Sequence, residues 1–252
     1  MKQKQTSWQP VSTWYDSSLK QSGDYTHESI IIPHAMKLLS LVPTSRVLDL
    51  GCGQGILART LPKSNAYTGI DIAPSLIEHA KTRNRIPHHR YIVADITKPL
   101  PLLPTDQFTH IVSLLTLDNI EHPDLVIGQL VPFLVPHGSF TFVINHPAFR
   151  IPRQSSWGID EAQKLQYRRI NRYLSPLSIP ISMHPGQTHG PVTWTFHFSL
   201  ATWISFLTDH GFVIDKLEEW TSQKSSVGKA ASMENMARQE FPLFLAILAR
   251  VR

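Results

Sequence analysis

A single cysteine, Cys52, in 252 residues leaves no intramolecular disulfide framework and no cysteine-based zinc cluster. Nor is there an apolar run near the roughly 18 residues that a membrane-spanning helix needs. The longest candidate, Phe241–Ala249, is the length of a strand. Met1–Gln9 is polar and lacks the apolar core of a signal peptide, so the expected location is cytoplasmic. No H-x-x-x-H helix and no carboxylate cluster offers a catalytic metal site, and none is expected. Internal repeats and low-complexity tracts are absent as well.

What is present begins with Val47-Leu48-Asp49-Leu50-Gly51-Cys52-Gly53-Gln54-Gly55. Branched apolar residues that end in glycines at alternate positions read as a buried parallel strand turning sharply into a helix. The glycines bring a ligand against bare main chain, and the next helix aims its N-terminal N–H groups at the turn. Asp71 lies twenty positions beyond Gly51, at the end of the strand-like run Tyr67–Asp71. An acid so placed can accept both ribose hydroxyls of a nucleoside lying on the first turn.

The rest of the pattern alternates. Strands are expected at Arg46–Leu50, Tyr67–Asp71, Arg90–Ala94, Phe108–Leu115 and Ser139–Ile144, with helices at 55–61, 75–86 and about 123–134. Right-handed crossovers would build these into a parallel, doubly wound α/β sheet. Ahead of it lies a polar arm with Trp8, Trp14, Tyr15 and Tyr25, then an amphipathic helix from Glu28 to Leu41 with Pro33 in its first turn. From Asn145 to Phe198 the alternation breaks into 54 residues with six prolines and no clear βα unit. A stretch of that kind is expected to be a substrate-side cover. A helix at Leu200–His210, a strand at Phe212–Glu219, a linker rich in Ser, Lys and Ala, and a strand at Leu243–Arg250 follow. With no crossover helix expected between them, those two strands should pair antiparallel.

D-x-G-x-G-x-G at Asp49–Gly55, with Gly69–Ile72, Ala94-Asp95-Ile96, Phe108–Asn119 and Phe140–Ile144 in order, resembles the class I S-adenosylmethionine-dependent methyltransferases, in particular their small-molecule branch. The resemblance implies a Rossmann-like seven-stranded sheet whose last strand is antiparallel. It implies one methyltransferase domain over 1–252: an N-terminal arm and helix (1–45), a cofactor-binding core (46–145), a substrate-side insertion after strand five (146–198), and a closing helix with antiparallel strands (199–252). Carried over, it sets Asp49, Gly51 and Gly53, with Cys52 in the same turn, under the methionine part of S-adenosylmethionine. Asp71 would hold the ribose and Ile72 would pack on the adenine. Asp95 and Ile96 would meet the adenine edge, Leu114 would face the sulfonium, and Tyr15 and Tyr25 would close over the cofactor. S-adenosylhomocysteine would be the product.

The acceptor is narrowed by what is missing. After strand four the chain reads Leu114-Leu115-Thr116-Leu117-Asp118, without the Asn- or Asp-Pro-Pro-aromatic motif of nucleic-acid amino-methyltransferases. Cys52, inside the cofactor turn, is no pyrimidine nucleophile. Net charge is +5, and six Lys or Arg between Arg150 and Arg172 face two acids. Such a segment reads as a solvated face, or as anion recognition through Arg150, Arg153, Arg168, Arg169 and Arg172. The expectation is O- or N-methylation of a small molecule, acidic or aromatic acceptors included. An RNA methyltransferase and a cofactor-binding module without chemistry are the alternatives. His146, directly after strand five, is the candidate base. Arg150, Arg153, Arg169 and His197 are candidate acceptor contacts, with His184 and His189 in the same insertion.

Overall fold

The computed structural model describes residues 24–182 and 192–252; Tyr15, His184 and His189 lie outside them. Eleven strands occur among the described residues. Seven form one sheet in the order β10-β11-β5-β4-β1-β2-β3. They are β1 (Arg46–Leu50), β2 (Ala66–Asp71), β3 (His89–Val93), β4 (Phe108–Leu114), β5 (Leu134–Asn145), β10 (Phe212–Trp220) and β11 (Phe244–Val251). The first five are parallel, and β11 runs antiparallel between β5 and β10. The expected seven-stranded α/β sheet with an antiparallel last strand is what forms.

Residues 47–50 of β1 and 244–249 of β11 are buried, as strands covered on both faces must be. One layer of core sets Phe140, Phe142 and Leu245 against Trp203 and Leu207 of helix α5 (Leu200–Thr208). On the opposite face α2 (Ile56–Thr60) buries Ile56, Leu57 and Ala58 on Val47, Tyr67 and Val112. Ile30, Ile31 and Ala35 pack on Val143, Ala246 and Leu248.

The N-terminal helix begins earlier than expected and in a wider winding. A π turn, His27–Ile31, leads into α1 (Ile32–Leu39), which stops at Ser40 in the left-handed region. The widened turn lies directly ahead of Pro33, which has no N–H to give to a regular ladder. Helices α3 (Pro74–Arg83) and α4 (Pro123–Gly128) both start on proline, where the missing donor costs nothing.

The insertion is more regular than its sequence suggests. It carries a β6–β7 hairpin (Ser155–Asp160, Leu165–Ile170) and an antiparallel pair β8–β9 (Leu177–Ser182, Val192–His197). Pro180 fits within β8 because, among the described residues, that strand pairs with β9 alone. The expected linker after β10 also needs correcting: it contains helix α6 (Ala231–Glu240), rich in helix formers despite the serines before it. No helix among the described residues is long and apolar enough to cross a membrane.

Candidate functional site

The sheet order reverses between β1 and β4, whose crossovers leave on opposite sides. A crevice opens outside the carboxyl ends of strands at such a point. Here it is a cleft of about 1230 Å³, counted out to its open mouth. Its walls come from the residues that follow β1 (Gly51, Gly53), β2 (Asp71, Ile72), β3 (Ala94–Lys98) and β4 (Leu115–Thr116, Asn119–His122), with His27 beside them. A smaller cavity shares His27, Gly51, Gly53 and Leu114 with the cleft and adds Asp49, Cys52 and Gln54.

The glycine turn is fastened from below, since the N–H groups of Gly51 and Cys52 both donate to the Ile70 carbonyl at 2.8 and 3.0 Å. Gly51 has φ +76°, and a Cβ there would lie 2.3 Å from Oγ1 and Cγ2 of Thr116. Only glycine permits that approach. Asp71 reaches into the same turn. Its Oδ2 accepts from the Gly53 N–H at 2.8 Å and its Oδ1 from the Ala73 N–H at 2.9 Å. Burial raises its carboxyl above the usual range, and these backbone donors draw it back. Asp95 uses Oδ1 on the N–H and hydroxyl of Thr97, at 2.9 and 2.7 Å, while the residue itself lines the cleft with Ile72 and Ile96.

Asp49 is more deeply placed, 3% exposed, with Oδ2 accepting from the Tyr67 hydroxyl at 2.7 Å. Burial pushes its carboxyl up to about 7, the Tyr67 hydrogen bond opposes that, and the Asp71 charge adds to it. A carboxyl whose folded value stands above its unfolded one favours folding at low pH, and that contribution fades as pH rises. The window here is from about 4 to about 7. Asp49→Asn, which keeps an acceptor for Tyr67, should therefore raise the melting temperature more at pH 8 than at pH 5. Melting curves at the two pH values check this; equal shifts would mean that Asp49 is ionised throughout.

The strand-four end holds a feature that the sequence did not announce. Leu115 takes φ +54°, a costly conformation for a residue with a Cβ. The Asn119 amide donates to its carbonyl at 3.0 Å, and its own N–H donates to Val143 at 2.8 Å. Both Leu115 and Asn119 line the cleft. His27 was also missed; Asp24 three residues before it was the available signal.

Other expectations are redirected. His146 does not line the cleft. Its Nδ1 accepts from the N–H groups of Ala148 and Phe149 at 3.2 and 3.3 Å, and its Nε2–H donates to Glu219 at 2.7 Å. With both nitrogens occupied, the ring has no lone pair for an acceptor proton. Burial holds its titration below the ordinary value, against the pull of Glu219. His146→Ala should thus lower stability by about 1–3 kcal/mol through the unpaired groups it leaves, with turnover per folded molecule retained. Urea titration with a parallel activity assay separates the two effects.

Arg150 and His197 share a second small cavity with His146 and Asp118. Arg150 lies over the Phe244 ring at 5.0 Å; burial lowers its pKa from the ordinary value, and the Asp118 charge opposes that. His197 Nε2 donates to the Tyr173 carbonyl at 2.7 Å. Arg153 and Arg169 are exposed and line none of these cavities. Arg168 binds the Phe149 carbonyl at 2.7 Å and lies over Trp157. Tyr25 lies under Lys224, 4.5 Å from its ring centroid, and is not a wall of the cleft. Among the described residues no group of three potential metal ligands comes together.

Residues 48–142 match the family model described as "Methyltransferase domain". The chain is 27% identical over 158 residues to a fatty-acid O-methyltransferase of Mycolicibacterium smegmatis, covering 61% of this chain and 57% of that one. It is 26% identical over 142 residues to a ubiquinone biosynthesis O-methyltransferase of Xylella fastidiosa, covering 54% and 56%. It thus spans a little over half the length of these curated relatives. A crystal structure of an S-adenosylmethionine-dependent methyltransferase from Mesorhizobium loti superposes with a TM-score of 0.68 at 26% identity, over 86% of this chain and 96% of that one. The glycine turn, the acid at the tip of β2 and the cleft at the sheet's reversal point agree with these matches: residues 48–142 are a methyltransferase domain, set in the Rossmann-like fold of the class I S-adenosylmethionine-dependent methyltransferases.

Proposed function

We propose that this chain transfers the methyl group of S-adenosylmethionine to an oxygen of a small acceptor. The observation that carries the reading is the cleft itself, which has a carboxylate at the tip of β2 beside a turn whose first glycine leaves no room for a Cβ. Asp71 would take the ribose hydroxyls, a pairing of charged acceptor with neutral donors worth more than an ordinary hydrogen bond. Ile72 and Ile96 would flank the adenine, and Asp95 would accept from its exocyclic amine. Gly51 and Gly53 would lie under the methionine part. Gln54 supports the fit. Its Nε2 is buried without a hydrogen-bond partner, and the residue lines the smaller cavity, where a ligand carboxylate would satisfy it.

The cofactor supplies an already activated methyl group. The protein's task is then to hold acceptor and methyl in line and keep water out. Oxygen as the acceptor atom rests on the two curated relatives. A small acceptor rests on the same relatives, and on Arg168, whose guanidinium is taken up by the Phe149 carbonyl and the Ser155 hydroxyl.

Calorimetry with S-adenosylmethionine, followed by mass spectrometry of products with phenol and carboxylic acid acceptors, tests the reading. Binding with formation of S-adenosylhomocysteine and a methyl ether or ester is the expected result. Binding without product from any acceptor would make the chain a cofactor-binding module, and methylated RNA as sole product would sink the small-acceptor reading.

A further inference from the structure

His27 is a wall of both the large cleft and the smaller cavity, together with Gly51, Gly53 and Leu114. S-adenosylmethionine has its sulfonium between an amino-acid end and a nucleoside end. If those ends divide between the two cavities, the reacting methyl lies at their junction, next to His27. The ring is only 14% exposed. Its Nδ1 lies 2.8 Å from Oδ1 of Asp24, and that same oxygen accepts from the His27 backbone N–H at 3.0 Å. The His27 contacts hold the Asp24 carboxyl down at about 2, so it can only accept. The proton therefore sits on Nδ1, which leaves the lone pair on Nε2. A base oriented by a third group is the arrangement that acid–base chemistry requires.

We propose that His27, positioned by Asp24, is the proton acceptor for methyl transfer, and that the acceptor is a hydroxyl still protonated at neutral pH, a phenol in particular. The inference rests on the methyl-transfer reading above. A phenol, with a pKa near about 10, keeps its proton at neutral pH and gains from a base, whereas a carboxylic acid, at about 4, has already lost it. The hydroxyl oxygen forms the new O–CH3 bond as the S–CH3 bond breaks, and that electron pair stays on sulfur. The hydroxyl proton passes to Nε2 of His27, and the resulting imidazolium is held by the Asp24 carboxylate until it deprotonates to water. His146 cannot serve, because both its nitrogens are occupied. His122, another wall of the cleft, is exposed and has no orienting partner among the described residues.

Asp49, Cys52, Asp71, Asp95, Lys98, Glu121 and His122 are the other charged or titratable walls of the two cavities, and Arg150 bears on Asp24 from the insertion. The acid limb of the rate profile must therefore be assigned by substitution. The probes are p-octylphenol and octanoic acid, which differ in acidity more than in bulk. Wild type should methylate the phenol. His27→Gln should lower kcat by ~10²–10⁴-fold and abolish the acid limb, while affinity for S-adenosylhomocysteine changes less than about threefold. Asp24→Asn should lower kcat by less than His27→Gln and loosen the hold of Nδ1 on the His27 proton. Independently of turnover, nitrogen NMR of the labelled protein should find the His27 proton on Nδ1. Transfer to octanoate alone, transfer to neither probe with cofactor bound, a proton on Nε2, or a loss of cofactor affinity in His27→Gln that matches the loss of rate would each overturn the proposal. Failure of wild type to bind S-adenosylhomocysteine would instead overturn the methyl-transfer reading.

Discussion

Gly51→Ala is expected to lower the melting temperature by on the order of 10 °C and to abolish measurable cofactor binding. Two costs combine. The backbone at φ +76° carries a penalty of about 1–2 kcal/mol for any residue with a Cβ. The new methyl would also lie within 2.3–2.7 Å of three Thr116 side-chain atoms, an overpacking that costs about 1–3 kcal/mol. At this chain length each 1 kcal/mol moves the midpoint by about 2–4 °C. Function suffers more than stability, because Thr116 cannot yield quietly. Its hydroxyl donates to the carbonyls of Gly51 and Leu114 at 3.3 and 3.2 Å, and its neighbour Leu115 is held in the left-handed region. Moving it moves a wall of the cleft. Adding Thr116→Ala should restore part of the stability and not all, since the Thr116 Cβ would still lie 2.7 Å away. Differential scanning calorimetry of single and double variants checks this; an unshifted Gly51→Ala would mean that the turn relaxes freely.

Asp71→Ala is expected to weaken S-adenosylmethionine binding by about 10²–10⁴-fold. Hydrogen bonds to a charged group contribute about 1.5–3 kcal/mol each, and two ribose hydroxyls are in question. The substitution has a second effect in the free protein, since the N–H groups of Gly53 and Ala73 lose their acceptor. Asp71→Asn separates the two. It keeps an acceptor for one backbone donor and removes the charge, so it should fold nearly as well as wild type and still bind poorly. Titration calorimetry on both variants decides the matter. Unchanged affinity in either would remove Asp71 from the ribose.

The sheet and the crevice were legible because they rest on local signals that tertiary structure rarely overrides. Buried parallel strands read as apolar runs, and the turn at Gly51–Gly55 needs glycines at fixed places. The contributions of His27 and Leu115 were not legible for the opposite reason. His27 reaches the cleft through a π turn that no periodicity announces, and Leu115 adopts its conformation through Asn119 and Val143, one of which lies 28 residues away. His146 shows the limit of position as evidence. It follows β5 as expected, yet its hydrogen bonds to Ala148, Phe149 and Glu219 turn both nitrogens away from the chemistry. The β6–β7 hairpin was harder to read because Trp157 and Ile159, then Leu165 and Tyr167, alternate over only a few residues per strand, and the apolar side is the one turned to solvent.

The place of β11 in the sheet has a consequence for biosynthesis. The strand that precedes it in the chain, β10, touches the sheet only through β11. During translation β1 to β5 can pair as they emerge, while β10 must wait, solvated, until Phe244–Val251 has left the ribosome. Until then β5 offers a long open edge flanked by Phe140, Phe142 and Val143, which β11 later covers. An unpaired apolar edge of that kind is a template for the wrong partner. A nascent chain stalled before Phe244 should therefore depend on chaperones in a way that the released chain does not.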